Sequence, residues 1–309
     1  MSTFMRESLL WGIFRVFYFC METIPKRLKV PLLMLLANLT YHLDRKHRRI
    51  IDINLHLAFG DTLDRQKKEQ IARTCYRNLI LLIADFLENQ NISHRDLLKK
   101  VSFHNERVVR EAIRQKRNII FISAHFGNWE VMLPAIAASL CPFTAVSKSL
   151  KEKKIDDFVT RSRERFGVSI VEKRGAVRHL VKAMQKGKHI AIMVDQNVGG
   201  DGIEVSFFGK RASHTPLASH LARRFNALII PAFSFPDPSF SHFDIYFYEP
   251  LQVAKSGDIQ EDIVRATQAQ ASITERVIRK HPEHWFWLHR RWKEYYRPIY
   301  NGNSKLMNT

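Results

Sequence analysis

The sequence is short of three things: cysteine, acid and long apolar runs. Only Cys20, Cys75 and Cys141 occur. The count is odd and no C-x-x-C pair is present, which argues against a disulfide framework or a thiolate zinc site. All three read as reduced thiols of a cytoplasmic protein, and Cys141, just before Pro142, reads as a packing residue. Acid is scarce against base, 30 Asp plus Glu facing 49 Lys plus Arg for a net charge of +19. That balance disfavours basic partners and favours polyanionic ones: nucleic acid, anionic lipid headgroups or an acidic carrier protein. Charge alone does not choose among them.

No secretory signal is evident. The apolar N-terminal stretch "SLLWGIFRVFYFCMETIP" is broken by Arg15 and Glu22, and the uncharged run over residues 30–43 is shorter than the roughly 18–20 residues a spanning helix needs. What is present there is an aromatic load (Trp11, Phe14, Phe17, Tyr18, Phe19) beside basic clusters at 26–29 and 45–49. The combination predicts helices lying on an anionic membrane surface over residues 1–48. A buried helical subdomain, or a tilted span with Arg15 reaching the interface, is the alternative. The remaining chain is long enough to bury one large core. It reads as an α/β domain over 49–300, with a polar, fraying tail at 301–309.

Residues up to about 100 carry apolar positions at helical spacing, for example Ile71, Cys75, Leu79, Leu82, Ile83 and Phe86. Residues 104–117 form an amphipathic helix with a basic outer face. Short β-rich runs then alternate with helices. Strands are expected at 118–124, 143–148, 168–173, 189–197, 227–235 and 243–250. Helices are expected at 128–140, 151–166, 176–188, after Thr215-Pro216, and at 259–280. The alternation predicts a mixed, mainly parallel central sheet flanked by helices.

Within this pattern lies "NIIFISAHFGNWE" at 118–130, where a strand ends in His125 and a carboxylate follows at Glu130. On one continuous helix the two would stand about 140° apart. If His125 sits in a strand-to-helix turn, Gly127 permits the bend, Asn128 caps the helix, and Glu130 in its first turn points back at the imidazole. A histidine held by a carboxylate at the C-terminal rim of a sheet is a general base. A bare H-x4-E is common by chance, and its bland reading is a core histidine near a helix-start acid.

The wider sequence resembles a known family. "AHFGNWE" looks like the catalytic block of the lysophospholipid acyltransferase-like superfamily, and more narrowly of the lipid A biosynthesis late acyltransferases. Further blocks match in order: "NLHLAFGD" at 54–61, "RSRERFG" at 161–167, "VDQN" at 194–197, "FFGKRASHTPLASHLARRFNALIIP" at 207–231 and "WFWLHRRWK" at 285–293. The H-x4-E form and the absence of a Pro-Glu-Gly-Thr block point away from the glycerolipid branch. The resemblance implies an acyltransferase that moves a fatty acyl chain from acyl carrier protein to the hydroxyl of a 3-hydroxyacyl chain on a Kdo-bearing lipid A precursor. It implies no cofactor beyond the donor's phosphopantetheine. By the same carry-over His125 is the base and Glu130 its partner. Arg163 serves the oxyanion or the sugar phosphates, and backbone N–H groups of the turn are alternative oxyanion donors. Asp195 either positions a basic residue or binds sugar. Asn128 and Lys148 join the candidate substrate contacts. Lys148 follows Ser147 where many relatives carry Tyr-Arg, so a point charge replaces a bidentate fork.

The implied partners are acyl carrier protein, a phosphorylated glycolipid and the anionic cytoplasmic face of the inner membrane, with no nucleic acid. The rival reading is a basic nucleic-acid-binding protein whose His–Glu pair is structural. His214, His281 and His284 lack an acid or cysteine at zincin spacing, so no metal is expected. The Gly-rich stretch at 197–202 lacks the P-loop Lys-Ser/Thr and reads as a flexible loop or lid. The C-terminal aromatic block reads as a packing anchor, with Arg290 and Arg291 near headgroups.

Overall fold

The computed structural model describes residues 3–302. The N-terminal third is helical: α1 (Thr3–Thr23), α2 (Lys26–Leu43), α3 (Arg45–Phe59), α4 (Arg65–Glu88) and α5 (His94–Lys99). Asp44 caps α3 by accepting from the His47 N–H at 3.1 Å, and Asp64 caps α4 by accepting from Lys67 at 2.6 Å. The alternating region follows as β1 (Val101–His104), α6 (Arg107–Arg114), β2 (Ile119–Ser123), α7 (Trp129–Ser139), β3 (Phe143–Ser147), α8 (Lys153–Glu164), β4 (Val168–Glu172), α9 (Ala176–Gln185) and β5 (His189–Met193). Then come β6 (Ile203–Phe207), β7 (Lys210–His214), α10 (Leu217–Phe225), β8 (Leu228–Pro236), β9 (Phe243–Phe247), β10 (Leu251–Gln252), α11 (Ile259–Lys280) and α12 (Lys293–Tyr300). Of the tail assigned to 301–309, only Asn301 and Gly302 fall among the described residues.

The main sheet has the order β1-β9-β8-β2-β5-β3-β4, with β10 added beside β8. The run from β8 to β4 is parallel, while β9 is antiparallel to β8. At the centre of this run β2 is buried at every position, as a strand covered on both faces must be, while β4 at the edge carries exposed Ser169 and Glu172. Ile119 and Phe121 of β2 face one layer, with α6, α7 and the end of α4. Ile120 and Ile122 face the other, with α9 and α10. The two faces of one strand thus assign the helices to opposite sides of the sheet.

The elements unread in the sequence include β1 and the β6–β7 hairpin, together with the short β10 and α12. β1 is four residues long and lies at the sheet edge. In the β6–β7 hairpin, β6 alternates Ile203, Val205 and Phe207 with polar residues, a strand signal over five residues, while its partner β7 is polar and basic and carries no such alternation. The hairpin is held from outside, where Gln268 of α11 bonds both the N–H and the C=O of Ser206 at 2.8 and 3.0 Å. The Gly-rich stretch before it is anchored rather than loose. Ser213 Oγ donates to the Gly199 carbonyl at 2.6 Å, and a Cβ on Gly202 would lie 2.1 Å from Ser213 Oγ.

The C-terminal aromatic block packs as expected, with Trp285, Trp287 and Trp292 all buried. Arg291 corrects the headgroup reading. It is fully buried, donates to the Ser213 carbonyl and the Nδ1 of His214, and lies over the Phe207 ring. Stacking on an aromatic face offsets part of the cost of removing that guanidinium from water.

Among the described residues no helix is long and apolar enough to cross a membrane. α1 and α2 nevertheless carry apolar residues on two sides. The inner side packs with Ala84 and Leu87 of α4. The outer side exposes Met5, Leu9, Ile13 and Val16 on α1, and Leu28, Leu32, Leu35, Leu39 and Leu43 on α2. Steps of three and four make each set one stripe.

Asn54 gives the "NLHLAFGD" block its physical role. Its Nδ2 donates to the carbonyls of Trp287 and His289 at 2.7 Å each, and its Oδ1 accepts from the Tyr300 hydroxyl at 2.5 Å. Asn54→Ala leaves these buried groups unpaired and is expected to lower unfolding free energy by about 2–4 kcal/mol. Urea denaturation reads this directly; a loss within experimental error would contradict the assignment.

Candidate functional site: a histidine base on a buried aspartate

β2 and β5 are neighbours in register, Ser123 opposite Met193, so positions 125 and 195 emerge side by side past the strand ends. His125 Nδ1 lies 2.9 Å from Asp195 Oδ1, and the His125 backbone N–H donates to Asp195 Oδ2 at 3.0 Å. Trp285 Nε1 donates to the same oxygen at 2.8 Å. Asp195 is therefore buried and served by three donors. Burial would raise its pKa, but the imidazole charge, the two side-chain hydrogen bonds and the backbone N–H hold it well below the usual carboxylate range. An ionised Asp195 only accepts, so Nδ1 of His125 carries the proton and Nε2 keeps its lone pair. The His125 side chain is 23% exposed, against 3% for Asp195. For His125 burial pulls the pKa down, and the Asp195 charge and hydrogen bond outweigh it, so the shift is upward from 6.5.

The pairing corrects one expectation. The imidazole is held by Asp195, and Glu130 turns to Arg163. Arg163 Nε donates to Glu130 Oε2 at 2.9 Å and Nη2 to Oε1 at 2.5 Å, a bidentate clamp joining α7 to α8. Trp129 Nε1 adds a bond to Glu130 Oε1 at 3.1 Å, and Arg163 Nη1 donates to Ser147 Oγ at 2.9 Å. Glu130 still acts on His125 through its charge, which adds to the upward shift. Arg163 is occupied by its partners, which removes it as a ready oxyanion donor.

The turn has the expected form. Gly127 has φ +59°, and a Cβ there would lie 1.8 Å from the Ser234 carbonyl oxygen, so both conformation and space require glycine. Asn128 caps α7 by accepting from the Val131 N–H at 3.2 Å. Its amide donates to Asp85 Oδ2 at 2.8 Å, and the residue is wholly buried. Asn128 is thus a structural cap with no surface left for substrate. Asp85, unread in the sequence, is a polar residue on the buried side of α4, and its other partners are Lys100 and Asn89. The turn is braced on its far side as well. Phe286 N–H donates to the His125 carbonyl, and Gly127 N–H to that of His284, both at 2.9 Å. Phe126 N–H bonds the Ala124 carbonyl at 2.8 Å, so the N–H groups of 125–127 each have a partner within the protein.

The other candidates separate. Lys148 is exposed just past the end of β3. Cys75 and Cys141 are buried, which pushes both thiols up to about 12 and removes them as nucleophiles. His214 is buried beside Arg291, which takes it down to about 3. His281 and His284 do have an acidic neighbour, since one ligand atom from each of His281, Glu283 and His284 lies within 4.8 Å of the others. His284 Nδ1 lies 3.2 Å from Asn78 Nδ2, and its Nε2 lies 3.7 Å from Glu283.

A mainly parallel sheet carries a buried acid and a partly exposed imidazole at its C-terminal rim, the edge where α/β proteins place their ligands. Over residues 3–294 the chain matches the family described as bacterial lipid A biosynthesis acyltransferase, and it belongs to that family. It is similar to the lipid A biosynthesis acyltransferase of Haemophilus influenzae, at 22% identity over 90% of this chain and 86% of the relative. It is also similar to the lipid A biosynthesis palmitoleoyltransferase of Escherichia coli, at 24% over 64% of this chain and 62% of that one. A phosphatidylinositol mannoside acyltransferase of Mycobacterium tuberculosis matches at 24% over 54% of this chain and 52% of its own.

Because the His125 pKa is raised on folding, its pairing stabilises the fold fully below the unfolded value of about 6.5, and that contribution is lost as pH rises through the higher folded value. The depressed Asp195 pKa contributes stability present above about 3.8 and lost in acid. Long-range proton–nitrogen NMR is expected to show the Nδ1–H tautomer for neutral His125 and a midpoint above 6.5, moving down in Asp195→Asn. A midpoint unmoved by that change would show that Asp195 does not govern the imidazole.

Proposed function

We propose that the protein transfers a fatty acyl chain from acyl carrier protein to a 3-hydroxyacyl hydroxyl of a Kdo-lipid IVA-type precursor, with His125 as general base. The donor's phosphopantetheine is the one prosthetic group the reading requires. The observation that carries it is the imidazole whose Nδ1 is tied to Asp195 while Nε2 is left as acceptor at the rim. Nε2 takes the acceptor hydroxyl's proton as its oxygen attacks the thioester carbonyl. The tetrahedral intermediate collapses, the C–S bond breaks, and the imidazolium returns the proton to the departing thiolate. Asp195 stabilises the imidazolium between the two transfers. The committed turn amides leave the N-terminal end of α7, where the helix dipole favours negative charge, to stabilise the oxyanion.

The exposed stripes of α1 and α2 support a place at the cytoplasmic face of the inner membrane. They sit beside exposed Arg27, Arg45, Lys46 and Arg49, the composition of an interfacial helix pair on anionic lipid. The acyl chain requires more room than either cavity beside α7 holds. Two cavities of ≈ 20 Å³ flank α7, one lined by Phe121, Met132, Ile136 and Ala145, the other by Phe86, Ile92, Pro134 and Phe166. Each has room for about one water, so chain binding parts α7 from its neighbours. Exposed Lys148 is a contact for the glycolipid phosphates. A second acceptor class, another membrane glycolipid, is favoured by the similarity to the phosphatidylinositol mannoside enzyme.

His125→Ala is expected to reduce acyl transfer by roughly 10²–10⁴-fold while the fold and vesicle association persist. Mass spectrometry of lipid A from cells with and without the protein then reads acceptor position and chain length together. Undiminished transfer by the variant would remove His125 from the mechanism, and unchanged lipid A would remove the acceptor.

A further inference from the structure

The stretch from Lys173 to Lys188 contains six cations and no acid: Lys173, Arg174, Arg178, Lys182, Lys186 and Lys188. All six are exposed, and none joins an ion pair among the described residues. Two other basic helices differ, because part of their charge is paired within the helix. On α6, Arg110 pairs with Glu106 and Arg114 with Glu111; on α11, Arg279 pairs with Glu275. Arg174, Arg178, Lys182 and Lys186 recur at four-residue steps, which sets them along one ridge on and beside α9. Val177 is 56% exposed among them, an apolar contact ringed by positive charge.

The ridge starts at the catalytic rim. The Lys173 N–H donates to the Ser147 carbonyl at 2.8 Å, and Ser147 Oγ receives Arg163, the partner of Glu130. β4, which leads into α9, stands three strands from β2 in the sheet. Three strand spacings are roughly 14 Å, a separation that an extended pantetheine arm spans. The ridge also lies on the side away from the membrane helices. α9 packs with α10 on Ile120 and Ile122 of β2. α1 packs on α8 and α4, whose ends join the opposite layer with α7. A surface on the far face of the sheet from the apolar stripes is turned to a soluble partner.

We infer that the α9 ridge is the docking surface for the acidic acyl carrier protein, which delivers its thioester over the rim from the side opposite the membrane. The inference rests on the acyl-transfer reading and deepens it. The donor approaches from the α9 face, the lipid acceptor from the α1–α2 side, and they meet at His125.

The test compares the full-length protein with Arg178→Glu/Lys182→Glu and, as control on the other face of the sheet, Arg110→Glu. Carrier protein bearing a lauroyl thioester and lauroyl pantetheine serve as donors, and binding of the carrier protein is titrated directly. The double variant is expected to raise KM for the carrier-bound donor, and to weaken carrier binding, by about tenfold or more at low salt. Its rate with lauroyl pantetheine and its association with anionic vesicles should stay within about twofold of the unaltered protein, as should every property of Arg110→Glu. Equal carrier binding by the double variant and the unaltered protein would overturn the assignment. So would an equal loss with both donors, or a loss of vesicle association, which would make the ridge a lipid contact. If the unaltered protein accepts acyl groups from neither donor, the acyl-transfer reading itself has failed, an outcome distinct from active enzyme whose carrier-dependent rate ignores the ridge.

Discussion

The hydrogen bond from His125 to Asp195 is the constraint around which the molecule is arranged. It places a charged carboxylate in a wholly buried position, a costly arrangement unless every lone pair is used. Much of the fold supplies that use. β2 and β5 bring the two residues together, the C-terminal segment brings the Trp285 indole, and the His125 backbone closes the set. The buried tryptophans and Arg291 pack behind that segment, and Asn54 of α3 ties its carbonyls. Parts of the chain far apart in sequence thus converge on one imidazole.

A second layer acts on the turn. Asn128 caps α7 and is in turn held by Asp85, while Glu130 and Arg163 lock α7 to α8. The cavities flanking α7 are each near the size of one water, and Glu130 and Arg163 help to line one of them. Phe158 of α8 meets Phe14 and Tyr18 of α1 edge to face, which connects the Glu130–Arg163 clamp physically to the helices bearing the outward apolar stripes.

The architecture was legible because apolar period and turn residues changed together. β2, β3, β4, β5, β8 and β9 fall where alternating apolar runs placed them, and Gly127 and Asn128 perform the local roles their chemistry implies. The His125 partner was legible only in part. Glu130 is near in sequence, and local reasoning favours near residues. Asp195 lies 70 positions away, and its pairing follows from β2 and β5 being adjacent, which no local pattern states. Its place at a strand end was visible, and the structure sets it 2.9 Å from His125 Nδ1. Asp85 and the inward turn of Arg291 were hidden for a related reason. Each is a charged residue whose burial is compensated by partners from elsewhere in the chain. In the hairpin β6–β7 the alternation of Ile203, Val205 and Phe207 was legible but went unread, while β7 is polar and is placed by its pairing with β6.

The most direct test of the central claim is the pH dependence of the initial acyl-transfer rate in the unaltered protein and in Asp195→Asn. The account predicts an acidic limb with a midpoint above 6.5 in the unaltered protein, and in the variant a lower rate with that limb moved to lower pH. A variant with the same limb and the same rate would contradict it, because the base would then owe nothing to the carboxylate beside it.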